Sequence, residues 1–370
     1  MEYLERYLYP AAAGAAAFAL GFSLSWFARR LAWHVGAVDY PGEARRMHDH
    51  PIPRAGGIAV YLCFLLLTAV FCDLSPLLAA VWTGGCLLFL TGLIDDVLSL
   101  GVGTRLLAQT VASLIAVLGG GLADFTDPLS FGLAVLFPVA LVNAHNFVDG
   151  IDGLCAKLGA TEAIAVSILL FLGSDAGALG DAGIAGNVEA LGDTDSALAL
   201  LILACALLGF LPLGRAPAKL FLGDCGSTPI GFLCGCFALR WVGLVRAGAS
   251  PVPWLRAALT LAFLFSVPLC DLFLAVVRRL TQGKNPFLPD RGHLHHLLVD
   301  SGYSHEDAGT ILVTLSALSA LIGVSLNVEA LLPFASAGCV AAALLLVWVW
   351  RRMTVRKTAR RLRRRVSGGR

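Results

Sequence analysis

Residues 141–159 read LVNAHNFVDGIDGLCAKLG and place Asn143, His145, Asn146, Asp149 and Asp152 within ten positions, with Gly150 and Gly153 beside the two acids. Other polar segments stand out from an oily background. GLIDDVLSL (92–100) carries Asp95 and Asp96, and GTRLLAQ (103–109) carries Arg105. AKLFLGDCGS (218–227) carries Lys219 and Asp224, and NPFLPDRGHLHHLL (285–298) carries Arg291, His293, His295 and His296. Carboxylates and amides are hard oxygen donors. They suit Mg²⁺, which is usually held by one or two carboxylates plus substrate phosphates. Zinc would ask for a Cys/His set that these spacings do not supply. Acids able to hold a cation, faced by arginines, a lysine and histidines, match the needs of a phosphate ester or diphosphate. The glycines allow sharp turns and close approach of backbone to a ligand.

Each segment alone has a plainer reading. A pair of acids at a helix end is usually just solvated, GDCGS can be a turn with Ser227 as a helix cap, and HLHH can be an interfacial loop. Their joint occurrence in a membrane-like chain favours a site, because amides and acids are costly there unless used.

The elements that must position these residues are membrane helices. The chain is 58% hydrophobic and only 14% charged, against about 25% charged in a soluble domain. On the ruler of roughly 20 apolar residues per crossing, spans fall near 9–28, 56–73, 76–94, 104–121, 128–145, 157–173, 196–214, 228–246, 254–277, 307–326 and 333–350. The fold expected is an all-α integral membrane bundle of about eleven transmembrane helices, in one domain (1–350) followed by a basic tail (351–370). The first run is preceded by Glu2, Glu5 and Arg6 rather than a basic stretch, so it reads as a permanent span. The ten cysteines sit mostly inside apolar runs and read as small apolar fillers.

Arg29, Arg30, Arg45, Arg46 and Arg54, then Arg278, Arg279, Lys284 and Arg291, and finally ten Lys/Arg after Trp350 mark one side of the membrane. Residues 174–195 carry five acids and no Lys or Arg, marking the other. The excess of basic residues on cytoplasmic loops puts the N-terminus outside and the C-terminus inside. Every polar segment then falls on the cytoplasmic side. The basic tail can serve as a topology signal or attract anionic headgroups, and the acidic loop reads as flexible.

LIDD, NxxNxxDGxDGL, KxFLGDxGS and PDRGHLHH, in this order over nearly the whole chain, resemble the polyprenyl-phosphate N-acetylhexosamine-1-phosphate transferase family. The resemblance implies an inner-membrane enzyme that begins cell-envelope polysaccharide assembly. A UDP-sugar gives its sugar 1-phosphate to a polyprenyl phosphate, typically undecaprenyl phosphate, and UMP leaves. It implies Mg²⁺, with Mn²⁺ as a substitute, no nucleic acid partner, and often a homodimer. By position it makes Asp224 and Asn146 metal ligands and Asp95, Asp96 and Asp149 catalytic acids. Asp152 and Asn143 become nucleotide contacts, and Arg105, Lys219, Arg291, His293, His295 and His296 phosphate contacts. Arg105 stands where the family usually has Lys. HLHH and HPIPRAGG resemble the branch using UDP-N-acetylglucosamine rather than the muramyl-pentapeptide nucleotide.

A phosphate monoester has a second pKa near 6, so the lipid phosphate is largely nucleophilic at pH 7 and positioning outranks proton abstraction. Asp271, seven residues before Arg278 on one helix face, either orients the histidine loop or pairs within the bundle. A secondary transporter is the competing class, but transporters place acids near the bilayer midplane, often with an internal repeat. A prenyltransferase would space its acids three or four apart, which DDVLS does not.

Overall fold

A computed structural model describes residues 2–41, 50–123, 126–173, 193–247, 254–284, 292–328 and 331–367. Arg291, the acidic segment 174–192 and Arg45, Arg46 and His48 lie outside these. The described chain is almost wholly helical. In order it forms α1 (Glu2–Val35), β1 (Val38–Asp39), β2 (Ile52–Pro53), α2 (Gly56–Phe71), α3 (Pro76–Leu98), α4 (Val102–Gly119) and α5 (Pro128–Val148). There follow α6 (Leu154–Gly173), α7 (Thr194–Gly214), α8 (Asp224–Ala247), α9 (Trp254–Leu264), α10 (Ser266–Thr281), α11 (Leu294–Asp300), α12 (His305–Ser325) and α13 (Leu332–Ser367).

Among the described residues nine helices are long and apolar enough to cross a bilayer. The all-α multi-pass architecture expected from hydropathy is therefore present, with two differences in detail. The run 254–277 is not one straight span: α9 and α10 meet at Phe265 with a bend of 88°. Pro268 lies in the first turn of α10, where its missing N–H costs nothing, and its ring clashes with a helical carbonyl at Leu264, the last residue of α9. The second run is short, 16 residues in α2, or about 24 Å at 1.5 Å per residue. At the other extreme α13 continues from the bilayer-length stretch through the basic residues to Ser367.

Packing follows the small residues. Ala13, Ala17, Ala28 and Ala32 of α1 are fully buried, and α1 packs extensively on α7. Without a hydrophobic drive between helices in lipid, close backbone approach over small residues is what holds such pairs. Of the apolar stretch of α7, 72% is buried within the protein, against 17% for α13, so α7 is central and α13 peripheral. Phe210, Phe232, Phe237 and Phe265 fill the centre.

A short antiparallel ribbon lies between α1 and α2. Val38 pairs with Pro53 and Asp39 with Ile52. The strand then continues against the loop before α8: Phe221 N donates to Pro53 O (2.8 Å), Gly56 N to Phe221 O (2.9 Å) and Gly57 N to Leu222 O (2.8 Å). The segment after α1 is thereby stitched to the FLGD loop.

Candidate active site

Five helix ends meet around Asp224, the first residue of α8. From the end of α3 come Asp95 and Asp96, and the structure gives them different work. Asp96 is a cap for another helix: its Oδ1 accepts from Asp224 N (2.9 Å) and its Oδ2 from Cys225 N (3.1 Å). Its side chain is fully buried, and it satisfies two of the N–H groups that α8 leaves free at its start. Asp95 accepts from Leu100 N through Oδ1 and meets Arg105 Nη1 through Oδ2 at 3.3 Å.

Asp224 lies between two arginines. Arg54 Nη2 is 3.5 Å from its Oδ1 and 3.2 Å from Asp96 Oδ1, and Arg105 Nη1 is 3.9 Å from its Oδ2. Arg54 was absent from the sequence-derived site. Burial alone would lower its pKa, but Asp96, Asp224 and Asp149 outweigh this and raise it, so it is a permanent cation. Its only sequence signal was its place in HPIPRAGG, since Asp224 is 170 positions away. The stitched ribbon delivers it.

α5 ends in the site. Asn146 Nδ2 reaches Ser227 Oγ at 3.5 Å, and Asn143 Nδ2 donates to Gln109 Oε1 (2.7 Å) and to Val139 O (2.8 Å). Gln109 is a second residue that sequence reading passed over. Asp149 follows the last turn. Burial, then the negative charge of Asp224, raises its pKa well above the usual carboxylate range, with Arg54 opposing. Asp152 is turned elsewhere: its Oδ2 accepts from Ala218 N (2.9 Å), and it lines a separate cavity of about 510 Å³ with Lys157, Arg215 and His305. Lys219 is exposed, and its side chain makes no hydrogen bond or ion pair among the described residues.

The histidine segment is held by α10. Asp271 Oδ2 lies 2.7 Å from His293 Nδ1, its Oδ1 accepts from Leu294 N (2.6 Å), and Arg278 Nη1 donates to Gly292 O (2.8 Å). Of the two roles open to Asp271, orienting the histidine loop is the one observed. The rings of His293, His295 and His296 cluster with centroids 4.2–6.4 Å apart; His293 and His295 lie parallel and His296 is tilted against both. His295 is 1% exposed, and neither ring nitrogen has a hydrogen-bond partner. Burial, then His296, lowers its pKa to about 3, so it acts as a neutral imidazole. It faces Gly150, where any Cβ would collide with the ring. That is the reason for glycine after Asp149.

A cavity of about 400 Å³ opens beside Asp224 between α3, α4, α5, α8 and α10. One part is polar, with Asp95, Arg105, Asn143, Asn146 and Asp224. The remainder is apolar, with Leu88, Leu106, Leu136, Val139, Leu272 and Val276. Buried orphan donors, clustered acids and arginines at one end of a bundle are features of a working site, because structure alone would not maintain them in a membrane.

The fold and this site define a multi-pass membrane enzyme. The family model described as Glycosyl transferase family 4 matches residues 78–242, a stretch that includes both acids of LIDD, the α5–α6 turn and Asp224. The chain is 36% identical over 313 residues to a decaprenyl-phosphate N-acetylglucosaminephosphotransferase of Mycolicibacterium smegmatis, covering 78% of this chain and 74% of the relative. It is 35% identical to the protein of the same name from Mycobacterium tuberculosis, covering 75% and 72%. It is 30% identical to the undecaprenyl-phosphate alpha-N-acetylglucosaminyl 1-phosphate transferase of Escherichia coli, covering 81% and 79%. The chain belongs to glycosyl transferase family 4, and it is a membrane transferase of phosphosugars.

Proposed function

We propose that this protein transfers N-acetylglucosamine 1-phosphate from UDP-N-acetylglucosamine to a polyprenyl phosphate, releasing UMP. The observation that carries the proposal is the two-part cavity: a charged end built from Asp95, Arg105, Asn146 and Asp224 and an apolar remainder. That shape suits a phosphate with a hydrocarbon tail, and the named relatives act on such lipids. We further propose that the site end faces the cytoplasm across the inner membrane, with the N-terminus outside. Arg29, Arg30, Arg54, Arg105, Arg278 and Arg279 all belong to helix ends or loops on that side.

In the reaction an oxygen of the lipid phosphate forms a bond to the phosphorus next to the sugar. The bond from that phosphorus to the bridging oxygen breaks, and UMP departs with the electron pair. No side chain has to remove a proton, since the nucleophile is largely a dianion at pH 7. Arg105, steadied by Asp95, holds the lipid phosphate by a fork of N–H donors. Asp96 and Arg54 hold Asp224 at the head of α8. His295 offers a buried neutral N–H to phosphoryl oxygens, and Asp271 keeps that loop in place.

Mg²⁺ fits this donor set. Among the described residues no three His, Cys, Asp or Glu side chains form a complete cage. Mg²⁺ asks for less, namely one or two carboxylates with the rest from water and phosphate. Asp224 and Asn146 would hold it, and the negative neighbours that raise the Asp149 pKa give a cation further reason to reside there. Held there, the ion would supply positive charge to neutralise phosphate oxygens.

The test uses purified protein in detergent with polyprenyl phosphate, a panel of radiolabelled UDP-sugars, and EDTA as control. Release of UMP with label moving into lipid from UDP-N-acetylglucosamine, abolished by EDTA and restored by Mg²⁺, is expected. Turnover of another UDP-sugar alone would overturn the sugar, and label uptake into vesicles without UMP would overturn the reaction.

A further inference from the structure

One buried ionisable pair takes no part in the transfer described above. His145 on α5 and Glu162 on α6 are both 0% exposed, and His145 Nε2 lies 2.8 Å from Glu162 Oε2. His145 Nδ1 lies 2.9 Å from Leu141 O, one turn back on its own helix. The imidazole is thereby hydrogen-bonded through Nδ1, while its Nε2 faces the Glu162 carboxylate as a close charge contact without hydrogen-bond alignment. Both residues lie inside bilayer-length helices. An ionisable pair in such a place is costly, and truncating one partner leaves the other stranded.

The location ties the pair to the site. His145 immediately precedes Asn146 and lies one helical turn before Asp149. α5 and α6 are joined by the DGIDG turn, but α8 packs against each of them. Gly231 of α8 presses on the Leu141 carbonyl so closely that a Cβ there would collide with it. The same carbonyl meets His145, and His145 meets Glu162. α8, α5 and α6 are thus linked at the end where α8 presents Asp224 and α5 presents Asn146 and Asp149.

We propose that His145 and Glu162 are positioning residues for the transfer. They fix the last turn of α5 so that Asn146 and Asp149 stand correctly against Asp224. The inference rests on the transfer reading for its kinetic consequence, but its structural consequence stands by itself. Supporting partners of ligand residues typically matter by about 10–100-fold. The effect falls on kcat rather than KM, because Asn146 and Asp149 act against Asp224, where charge develops during the transfer, and an interaction made only in the transition state is lost from kcat.

Glu162→Ala removes the partner, and Glu162→Gln keeps an oxygen acceptor at the same reach. Arg240→Ala serves as control, since it breaks a 2.7 Å ion pair with Asp193 at the far end of the bundle. Two readouts are needed: UMP release against UDP-N-acetylglucosamine concentration, and amide hydrogen exchange across residues 143–154 by mass spectrometry. Expected are about a 10-fold or greater loss of kcat in Glu162→Ala with KM within about twofold, and faster exchange in 143–154. Glu162→Gln should recover most of both, and Arg240→Ala should change neither. If Glu162→Ala does not fold, His145→Gln gives the comparison from the other helix. Exchange in 143–154 no faster than in Arg240→Ala would overturn the proposal, as would Glu162→Gln being as impaired as Glu162→Ala. A wild-type protein that releases no UMP would instead sink the transfer reading, and the exchange result would still decide the pair.

Discussion

The two ends of the helical bundle handle charge in opposite ways. At the far end, acids and a serine serve their own helices or a neighbouring arginine. Ser75 caps α3 by accepting from Leu78 N, Asp127 caps α5, and Asp193 caps α7 while pairing with Arg240. At the site end, polar groups from several helices converge on one another: Asp96 caps α8 from α3, Arg54 reaches two carboxylates, and His295 is buried with neither ring nitrogen hydrogen-bonded. The first pattern is what stability requires. The second stores charge and unfilled donors in the protein, and only a ligand of opposite or complementary charge makes that arrangement favourable. The difference locates function without reference to any relative.

The comparison breaks most sharply at Asp224. Asp224→Asn should lower UMP release by about 10²–10³-fold, the range for removing one preorganised charge-stabilising group, with a melting temperature in detergent close to wild type. A variant retaining a tenth of the activity would show that the site lies elsewhere.

Asp96→Asn should fail differently. An amide offers one acceptor oxygen where two N–H groups now point, so α8 loses a capping bond at about 1–3 kcal/mol. A lowered melting point should accompany lost activity, and an unchanged melting point would refute the cap.

The pH dependence sharpens the contrast further. The folded-state pKa of His295 is lowered, so the unfolded chain binds the extra proton first. Stability from this group is complete above about pH 6.5 and is lost as pH falls toward about 3, by up to about 1.4 kcal/mol per unit. Acid melts of wild type and His295→Asn should diverge in that window, with wild type the steeper; parallel curves would contradict a buried neutral ring.

The smallest effect belongs to the far end. Arg240→Ala should cost under about 1 kcal/mol, as partly exposed ion pairs do, with UMP release within about twofold of wild type. A large activity loss would erase the distinction between the ends.

Much of this was legible in the residues. Apolar runs announce helices in a membrane because no other open backbone is tolerated there, and each apolar run corresponds to helix. The bend at Phe265 was hidden, since both of its arms are apolar and hydropathy carries no direction; Pro268 was its only trace. LIDD was readable as a pair of acids. Its division into a cap and a cavity-facing acid was not, because that depends on where the head of α8 lies. Asp271 was left between two roles until its contacts with His293 and Leu294 were seen. Arg54 and Glu162 were passed over because their partners are remote in the chain, and charge alone does not name a partner.

By itself, then, the sequence determined the medium, the helices and the inventory of reactive groups, because hydropathy and residue chemistry are local properties. Only the tertiary structure decided which carboxylate meets which arginine, which histidine is buried and which acid caps a neighbouring helix. Those outcomes depend on distances across helices, and they arise when α8 comes to rest against α3, α5 and α6.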